Sequence, residues 1–590
     1  MSDQPGPGLL RSLFQPRTVA VIGASDDPAK LSGRPVDYLQ RFGFAGRIVP
    51  VNARREEVQG LRAFPGIAAY RETPVDLAII ALPAPAVAAE LRACARAGVP
   101  LAVVFASGFA EAAGEGARLQ RELREICAET GIRLLGPNCL GGIATAGGVV
   151  PTFTSALDGD VRLTPGPVAI VSQSGAFGTF LFSAAQAAGM GIGYFANTGN
   201  EVDVTAPELM CELLESDDVG VVLGYLEGIS DPAALLRAGR AAARARKPLV
   251  LVKVGVTEEG ARAAAAHTGA RPVEDGPVDD VLDQLGVVRA GGLEEMIDIA
   301  GLLAAGRRPA GDRLAVLTMS GGAGVLLTDG AIAAGMSVPA WSPRWRDRVA
   351  EVVPPYGSAR NPLDITGSFL KSPEILERVL DVALEHPDTD VITVLLGNAD
   401  RESDRVVETL TAAYARTSKP MLVVWTGGSG RPRELLARAG VPVYTDPARA
   451  VRALSALMRH ALRPAPERVP ARDPGGRGIA DLARELEAAD GADGGGRPIV
   501  TAHDGAFGPM ISIDPAAPVG RRTHGTAPVD PAHARRMLAR AGFDAPPGRA
   551  GLLSRLSAFA AGPGGARGRV RLGDAPAGGE PVDPQPRVEG

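Results

Sequence analysis

Residues 18–33 read TVAVIGASDDPAKLSG, a β-branched apolar run that ends at Gly23 and passes into turn-forming residues. A run without polar alternation suits a strand buried on both faces, as in a parallel sheet covered by helices. The same unit recurs along the chain. Residues 76–82 (DLAIIAL), 100–105 (PLAVVF) and 133–136 (RLLG) complete a first set. Residues 167–172 (PVAIVS), 220–226 (GVVLGYL) and 248–254 (PLVLVKV) make a second, and 313–318 (RLAVLT), 390–396 (DVITVLL) and 420–425 (PMLVVW) a third. Ala/Leu/Arg-rich helical stretches lie between the runs. The pattern predicts an α/β chain of three doubly wound units: a Rossmann-like domain over 1–140 and two flavodoxin-like domains over 160–305 and 310–465.

Residues 466–590 differ, being rich in Pro, Gly, Ala and Arg. Residues 562–590 hold few large apolar side chains, so burial cannot offset ordering entropy and disorder is the default expectation there. A modest folded piece is expected between 497 and 560, where PIV, FGPMISI and LLSRLSAFA occur.

Composition excludes several functions. The 62 basic and 67 acidic residues are spread along 590 positions with a net charge of −5, which leaves no basic stripe for nucleic acid. Cys94, Cys127, Cys139 and Cys211 are widely spaced and form no CxxC pair, so they read as buried thiols in a reducing cytosol. The opening MSDQPGPGLLRSLF lacks the layout of a signal peptide, and no window reaches ~18 uncharged apolar residues. A cytoplasmic protein without a membrane partner is expected.

The chemistry lies in short segments at strand ends. Gly23-Ala24-Ser25 follows the first strand, where a glycine turn lets backbone amides and a helix N-terminus approach a phosphate. It is not GxGxxG, and the second strand ends in Val51-Asn52-Ala53-Arg54, without the acid that would specify NAD. Next come Ala81-Leu82-Pro83-Ala84, Ser107-Gly108-Phe109-Ala110-Glu111 and Leu135-Gly136-Pro137-Asn138-Cys139-Leu140-Gly141. Further on stand Ser172-Gln173-Ser174-Gly175, Thr198-Gly199-Asn200-Glu201-Val202-Asp203, Tyr225-Leu226-Glu227-Gly228 and Ala266-His267-Thr268-Gly269-Ala270. Ser320-Gly321-Gly322-Ala323-Gly324 and Arg360-Asn361-Pro362-Leu363-Asp364 complete the series.

In this order the segments resemble the NDP-forming acyl-CoA synthetase superfamily, that of succinyl-CoA synthetase and ADP-forming acetyl-CoA synthetase, over about 460 residues. The resemblance implies that the first domain binds CoA through Gly23, Ala24, Ser25, Lys30, Asn52, Arg54, Pro83, Glu111 and Asn138. Arg54 stands where the family often has lysine, and it too can contact a phosphate. The resemblance also makes His267 a phosphoryl carrier, on what its small neighbours suggest is a mobile loop. Neutral imidazole is a good nucleophile near pH 7. Glu227 matches the family glutamate that holds such an imidazole in one tautomer. Ser172, Gln173, Ser174 and Gly175 open one helix, and Gly321, Gly322, Ala323 and Gly324 another. If the two N-termini face one another, as in the family, their amides and dipoles make a phosphate site between domains two and three.

Full-length relatives in that superfamily carry an ATP-grasp unit, fused or as a partner subunit. Its nucleotide lysine and Gly-rich cover are missing from this sequence. Residues 497–510, 527–538 and 552–561 resemble parts of its second half, with Asp504 the one plausible magnesium ligand, so a truncated or degenerate ATP-grasp remnant is expected at the C-terminus. Three readings stay open. One is an acyl-CoA synthetase for a small carboxylic acid, using CoA, phosphate, ADP or ATP and Mg2+. Another is an alpha-type subunit that needs a separate ATP-grasp partner. The third is an acyl-CoA-binding sensor or scaffold. An oligomer is expected; the metal ligands and the acid are not legible.

Overall fold

Each apolar run becomes a strand in the computed structural model. It describes residues 8–112, 114–268, 275–463, 499–505, 507–513, 522–527, 529–541, 550–551, 553–554, 557 and 568–571. The first sheet is parallel throughout, in the order Arg47–Val51, Thr18–Ile22, Leu77–Ile80, Leu101–Val104, Arg133–Leu135. The second runs Val288–Arg289, Leu249–Lys253, Val221–Leu226, Val168–Ser172, Ile192–Asn197 in parallel and is closed by antiparallel Gly141–Ala144. The third, again parallel, runs Leu363–Asp364, Leu314–Thr318, Val391–Gly397, Met421–Thr426, Val443–Tyr444.

Thr18–Ile22, Val168–Ser172 and Leu314–Thr318 are buried at every residue, as their unbroken apolar pattern requires. Each also has its next two parallel strands on opposite sides. That reversal opens a crevice at the carboxyl end of the strand, the usual place for a ligand on an open α/β sheet. The segments beginning at Gly23, Ser172 and Ser320 lie at these three points.

The units are joined by polar contacts over shared apolar cores. Arg133 pairs with Asp203 and Glu208 at 2.8 and 2.9 Å, tying the first sheet's last strand to the second unit. Helices Leu293–Leu303 and Pro447–Ala461 pack the second unit on the third, with Leu181, Met296, Leu327 and Leu454 in one core. Across that seam Arg449 holds the buried Asp298 through two 2.8 Å bonds. Cys94, Cys127 and Cys139 are buried as expected, whereas Cys211 is half-exposed. No helix among the described residues is long and apolar enough to cross a membrane.

Two local expectations are corrected. Residues 26–33 form a loop, so no helix starts directly after Gly23. The next helix is Arg34–Arg41, because the Asp27–Pro28 turn delays it and Gly33 packs on the Asp27 carbonyl. His267 is not in a loop. It occupies the last turn of helix Glu258–Thr268, since Ala261 and Ala263–Ala266 are the strongest helix formers and Glu258 and Glu259 suit the positive N-terminal end.

Beyond residue 463 the described segments build a four-stranded antiparallel sheet, Thr523–Thr526, Gly508–Ile513, Ile499–Gly505, Gly568–Arg571, with helix Pro531–Arg540. The last strand corrects the expectation of disorder throughout 562–590: residues 568–571 pair with residues 499–502, which supply the backbone partners that composition does not reveal. The rest of that tail, the Asp504 side chain and most of 552–561 lie outside the described residues. The sheet docks on helix Asp275–Leu285. Gln284 accepts from the Thr526 N–H at 2.7 Å and donates to its carbonyl at 2.9 Å, while Arg540 reaches Asp280 and Asp283.

Gly199 has a φ of +57°, and a Cβ there would lie 2.3 Å from the Pro137 carbonyl oxygen and 2.4 Å from that of Asn138. Gly199→Ala should therefore force the first two units apart at a cost of about 1–3 kcal/mol. Calorimetry should show a melting transition lower by several degrees; an unchanged transition would mean that the two units are not held at this point. A second expectation concerns His533, buried at 1% exposure with its Nε2 unpartnered. Burial, and then the charge of Arg536, hold its pKa well below the ordinary histidine value. The unfolded segment takes up a proton near pH 6.5 that the folded one refuses. Docking of the C-terminal sheet should thus be full above about pH 6.5 and weaken as pH falls below it. Hydrogen exchange over 523–540 at pH 7.5 and pH 5 should report faster opening in acid, and His533→Leu should flatten that difference.

Candidate active site

The predicted CoA residues line the carboxyl edge of the first sheet. The Gly23 and Ala24 N–H groups donate to the Val51 carbonyl at 2.9 and 3.3 Å, and the Ser25 N–H to Ser32 at 3.1 Å. Asn52 donates from Nδ2 to the Ala24 carbonyl at 2.9 Å and accepts the Arg54 N–H at 2.8 Å. The turn is therefore braced internally, and its amides are not the free donors that the glycine suggested. What remains for an anion is the exposed positive charge of Lys30 and Arg54 beside it. Pro83 stands exposed before helix Ala84–Arg96, whose first residue lies near Gly108.

Glu111 and Asn138 turn toward the second unit instead. Glu111 accepts the Gly108 and Phe109 N–H groups at 2.6 and 3.1 Å through one oxygen and Asn200 Nδ2 at 2.5 Å through the other. Burial pushes its pKa up, but the Asn200 and backbone donors outweigh burial and hold the carboxylate below its usual range. Asn138, at φ +55°, donates to Asn200 Oδ1 at 3.2 Å. Backbone bonds from Asn200 to Pro137 and from Val202 to Gly136 run alongside, at 2.9 and 3.0 Å. Asn197 completes the seam by accepting the Leu140 N–H at 2.7 Å and donating to the Ser172 and Gln173 carbonyls at 2.9 and 3.0 Å. Asn197 and Asn200 had no assigned role in the sequence reading. The signal available was a polar, Gly-containing segment directly after a buried strand.

At the second sheet's switch point Ser172 Oγ donates to the Ser174 carbonyl at 2.7 Å, and Ser174 caps helix Gly175–Ala187. The N–H groups of Gly175 and Ala176 have no acceptor among the described residues. Gln173 crosses to the neighbouring strand end, where its Oε1 accepts the Glu227 and Gly228 N–H groups at 2.6 and 3.0 Å and its Nε2 donates to the Gly228 carbonyl at 3.0 Å. Glu227 thus sits beside the loop predicted to hold phosphate. The strand pairing Leu226 with Lys253 brings the root of helix Glu258–Thr268 to the same edge. That helix, with His267 in its last turn, packs against the 3-10 turn Ala110–Ala112 of the first unit. The imidazole itself lies outside the described residues.

The third unit repeats this loop. Residues 168–190 and 314–336 align without a gap and are identical at ten of 23 positions. Thr318 Oγ1 donates to the Ser320 carbonyl at 2.8 Å, Ser320 caps helix Gly321–Ala333, and the Gly321 and Gly322 N–H groups have no described acceptor. In each copy a glycine at the fourth residue of the helix lets it close on the strand end: a Cβ at Gly178 or Gly324 would lie 2.8 Å from Ser172 or Thr318. No hydrogen bond among the described residues joins 172–175 to 320–324. Nor do these residues contain a group of three or more His, Cys, Asp or Glu side chains able to hold a metal.

Known proteins carry the same parts in the same order. Residues 17–145 match the CoA binding domain, 165–303 the succinyl-CoA ligase like flavodoxin domain and 314–403 the Ligase-CoA domain. The chain is 32% identical over 464 residues to ADP-forming acetate–CoA ligase I subunit alpha of Pyrococcus furiosus, over 76% of this chain and 97% of that protein. It is 34% identical over 464 residues to ADP-forming acetate–CoA ligase I of Archaeoglobus fulgidus, spanning 78% of this chain but only 65% of that longer one. A solved structure of dinucleotide-forming acetyl-coenzyme A synthetase 1 from Candidatus Korarchaeum cryptofilum, in complex with phosphate and ADP, superposes with a TM-score of 0.70 at 32% identity, over 77% of this chain and 97% of that one. The three sheets, the strand-end loops and these likenesses agree: the chain belongs to the NDP-forming acyl-CoA synthetase superfamily, as an ADP-forming acid–CoA ligase chain that covers the alpha-type part.

Proposed function

We propose that the chain is the acyl- and phosphoryl-transferring component of an ADP-forming acyl-CoA synthetase for a small carboxylic acid, and that His267 carries the phosphoryl group. The observation that supports this most is the meeting of two strand-end edges. The first unit's turn at Ala110–Ala112 lies against the helix that bears His267, and Asn200 joins that turn to the segment beside Ser172–Gly175. A phosphate oxygen attacks the thioester carbonyl, the C–S bond breaks, and CoA leaves with a proton. The acyl phosphate then yields its phosphoryl group to the imidazole, releasing the carboxylate, and ADP takes that group to become ATP. Lys30 and Arg54 would face the diphosphate of CoA. The free amides at 175–176 and 321–322 would hold the phosphoryl oxygens, which carry growing negative charge during transfer. Glu227 would hold the imidazole in the tautomer that attacks.

An alpha-type subunit that works with a separate ATP-grasp partner is favoured over a self-sufficient enzyme. The chain covers nearly all of a relative named as an alpha subunit, but about two thirds of a single-chain one. We read the C-terminal sheet as an ATP-grasp remnant. Nucleotide and Mg2+ would then be held mainly by the partner, in a soluble cytoplasmic assembly.

Two experiments bear on this. Acetyl-, butyryl- and phenylacetyl-CoA, each with labelled phosphate, should leave an acid-labile, base-stable label on the chain. His267→Ala should abolish that label, and Glu227→Gln should slow its appearance about 100-fold with little change in CoA affinity. Label persisting in His267→Ala would place the nucleophile elsewhere. Separately, the purified chain with ATP, CoA and a panel of short acids should make no acyl-CoA until an ATP-grasp subunit is added, because in-line transfer from ATP needs cationic groups and Mg2+ around the triphosphate. Robust turnover by the lone chain would remove the two-component reading.

A further inference from the structure

Directly behind Gln173 lies a carboxylate that the mechanism above does not use. Glu201 is 8% exposed and sits at φ +53°, a left-handed conformation that is unfavourable for a residue with a Cβ. Among the described residues it has no cationic partner. Its oxygens are held by three donors, the Ala206 N–H at 2.8 Å, the Thr198 hydroxyl at 2.9 Å and the Ser230 hydroxyl at 2.8 Å, which work against the burial that raises its pKa. An unpaired charge in this position is expensive unless its oxygens accept hydrogen bonds, and here three donors supply them.

The donors come from the segments that frame the site. Thr198 follows strand Ile192–Asn197 and Ser230 follows the Glu227 turn, while the nearby Gln173 belongs to the loop proposed to hold phosphate. Gln173 Nε2 has two hydrogens. One goes to the Gly228 carbonyl while Oε1 grips the Glu227 and Gly228 N–H groups, and the Glu201 carboxylate acts on this amide from nearby. A neutral amide in place of the carboxylate would keep one oxygen for the Ala206 N–H and present an NH2 group to Ser230 and toward Gln173, where only the hydroxyl can turn to accept it. Its neighbour Asn200 points the other way, into Glu111 and Asn138 of the first unit.

We infer that Glu201 is a positioning residue for the phosphoryl-transfer step, acting through Ser230 and on the neighbouring Gln173 to fix the Glu227–Gly228 turn. The inference rests on the phosphohistidine reading, and the experiment separates the two. The full chain is incubated with each of the three acyl-CoAs and labelled phosphate, and the rate of label entry is compared in wild type, Glu201→Gln, Gln173→Ala and the double variant. Glu201→Gln should lower the maximal labelling rate at least about tenfold while the half-saturating acyl-CoA concentration changes less than about twofold. The double variant should be no slower than Gln173→Ala alone, the sign of residues acting as one unit. Ser230→Ala, which removes one donor and keeps the charge, should show a milder slowing of the same kind, and it carries the test if Glu201→Gln is not recovered folded. Wild-type labelling rates in Glu201→Gln, or losses that add in the double variant, would overturn this inference alone. An unlabelled wild type would overturn the phosphohistidine reading and this inference with it.

Discussion

Where a parallel strand ends, its last carbonyls and the next segment's amides must find partners, and at the first sheet they find them in another unit. The carbonyls of Leu134, Gly136 and Pro137 accept from Val204, Val202 and Asn200, so residues 200–204 run beside the first sheet's last strand and its exit loop. Gly199 makes this approach feasible, because any Cβ there would collide with backbone oxygen. The exit loop of the first sheet is thereby joined to the segment that follows strand Ile192–Asn197 in the second. Without that seam the segments quoted from the sequence would be separate turns on separate units.

The two helix-opening loops solve one problem twice. In each, a strand-end hydroxyl at 172 or 318 satisfies the carbonyl of the capping serine two residues on, and the serine side chain satisfies one amide of the first turn. The first two helical amides have no acceptor among the described residues, and the dipole adds its positive end at the same place. The shared 23-residue frame means that this geometry depends on few residues: the hydroxyl, the serine and the glycine that lets helix and strand close together. Helices Leu293–Leu303 and Pro447–Ala461 then pack the repeated units on each other, and Arg449 and Asp298 fix the contact.

Much of this was legible in the sequence because unbroken apolar runs leave few alternatives to buried parallel strands, and every strand run quoted from the sequence appears in a sheet. Ser174 and Ser320 were legible as helix starts because a serine before glycine and small residues has a local physical meaning. His267 was misread since small residues were taken for a loop, although a run of alanine is the strongest helix signal available. Asn197 and Asn200 escaped notice because their partners stand some 25 to 90 residues away, and no local pattern encodes such pairs. The strand at 568–571 was missed for a similar reason: its partner, near residue 500, is distant in the chain, and its own composition carries no strand signal.

A difference between the loops follows from where their positive charge comes from. The amides of Gly23–Ser25 are spent on the Val51 and Ser32 carbonyls, so the groups proposed to attract an anion at the first edge are Lys30 and Arg54, which are exposed. Such charges act over distances approaching a Debye length, about 8 Å at physiological salt, and suit the capture of a long, flexible polyanion. At 175–176 and 321–322 the charge is partial, fixed by backbone and strong only within a turn of the helix end. It suits a small anion that must be held in one orientation while its bonds change. If CoA and the phosphoryl group occupy the places proposed for them, rising salt should weaken acyl-CoA capture far more than the labelling of His267 at saturating acyl-CoA, because screening acts on the exposed cations and hardly on amides at contact range. Equal salt dependence of the two quantities would mean that mobile side chains, and not the helix ends, carry the phosphoryl site.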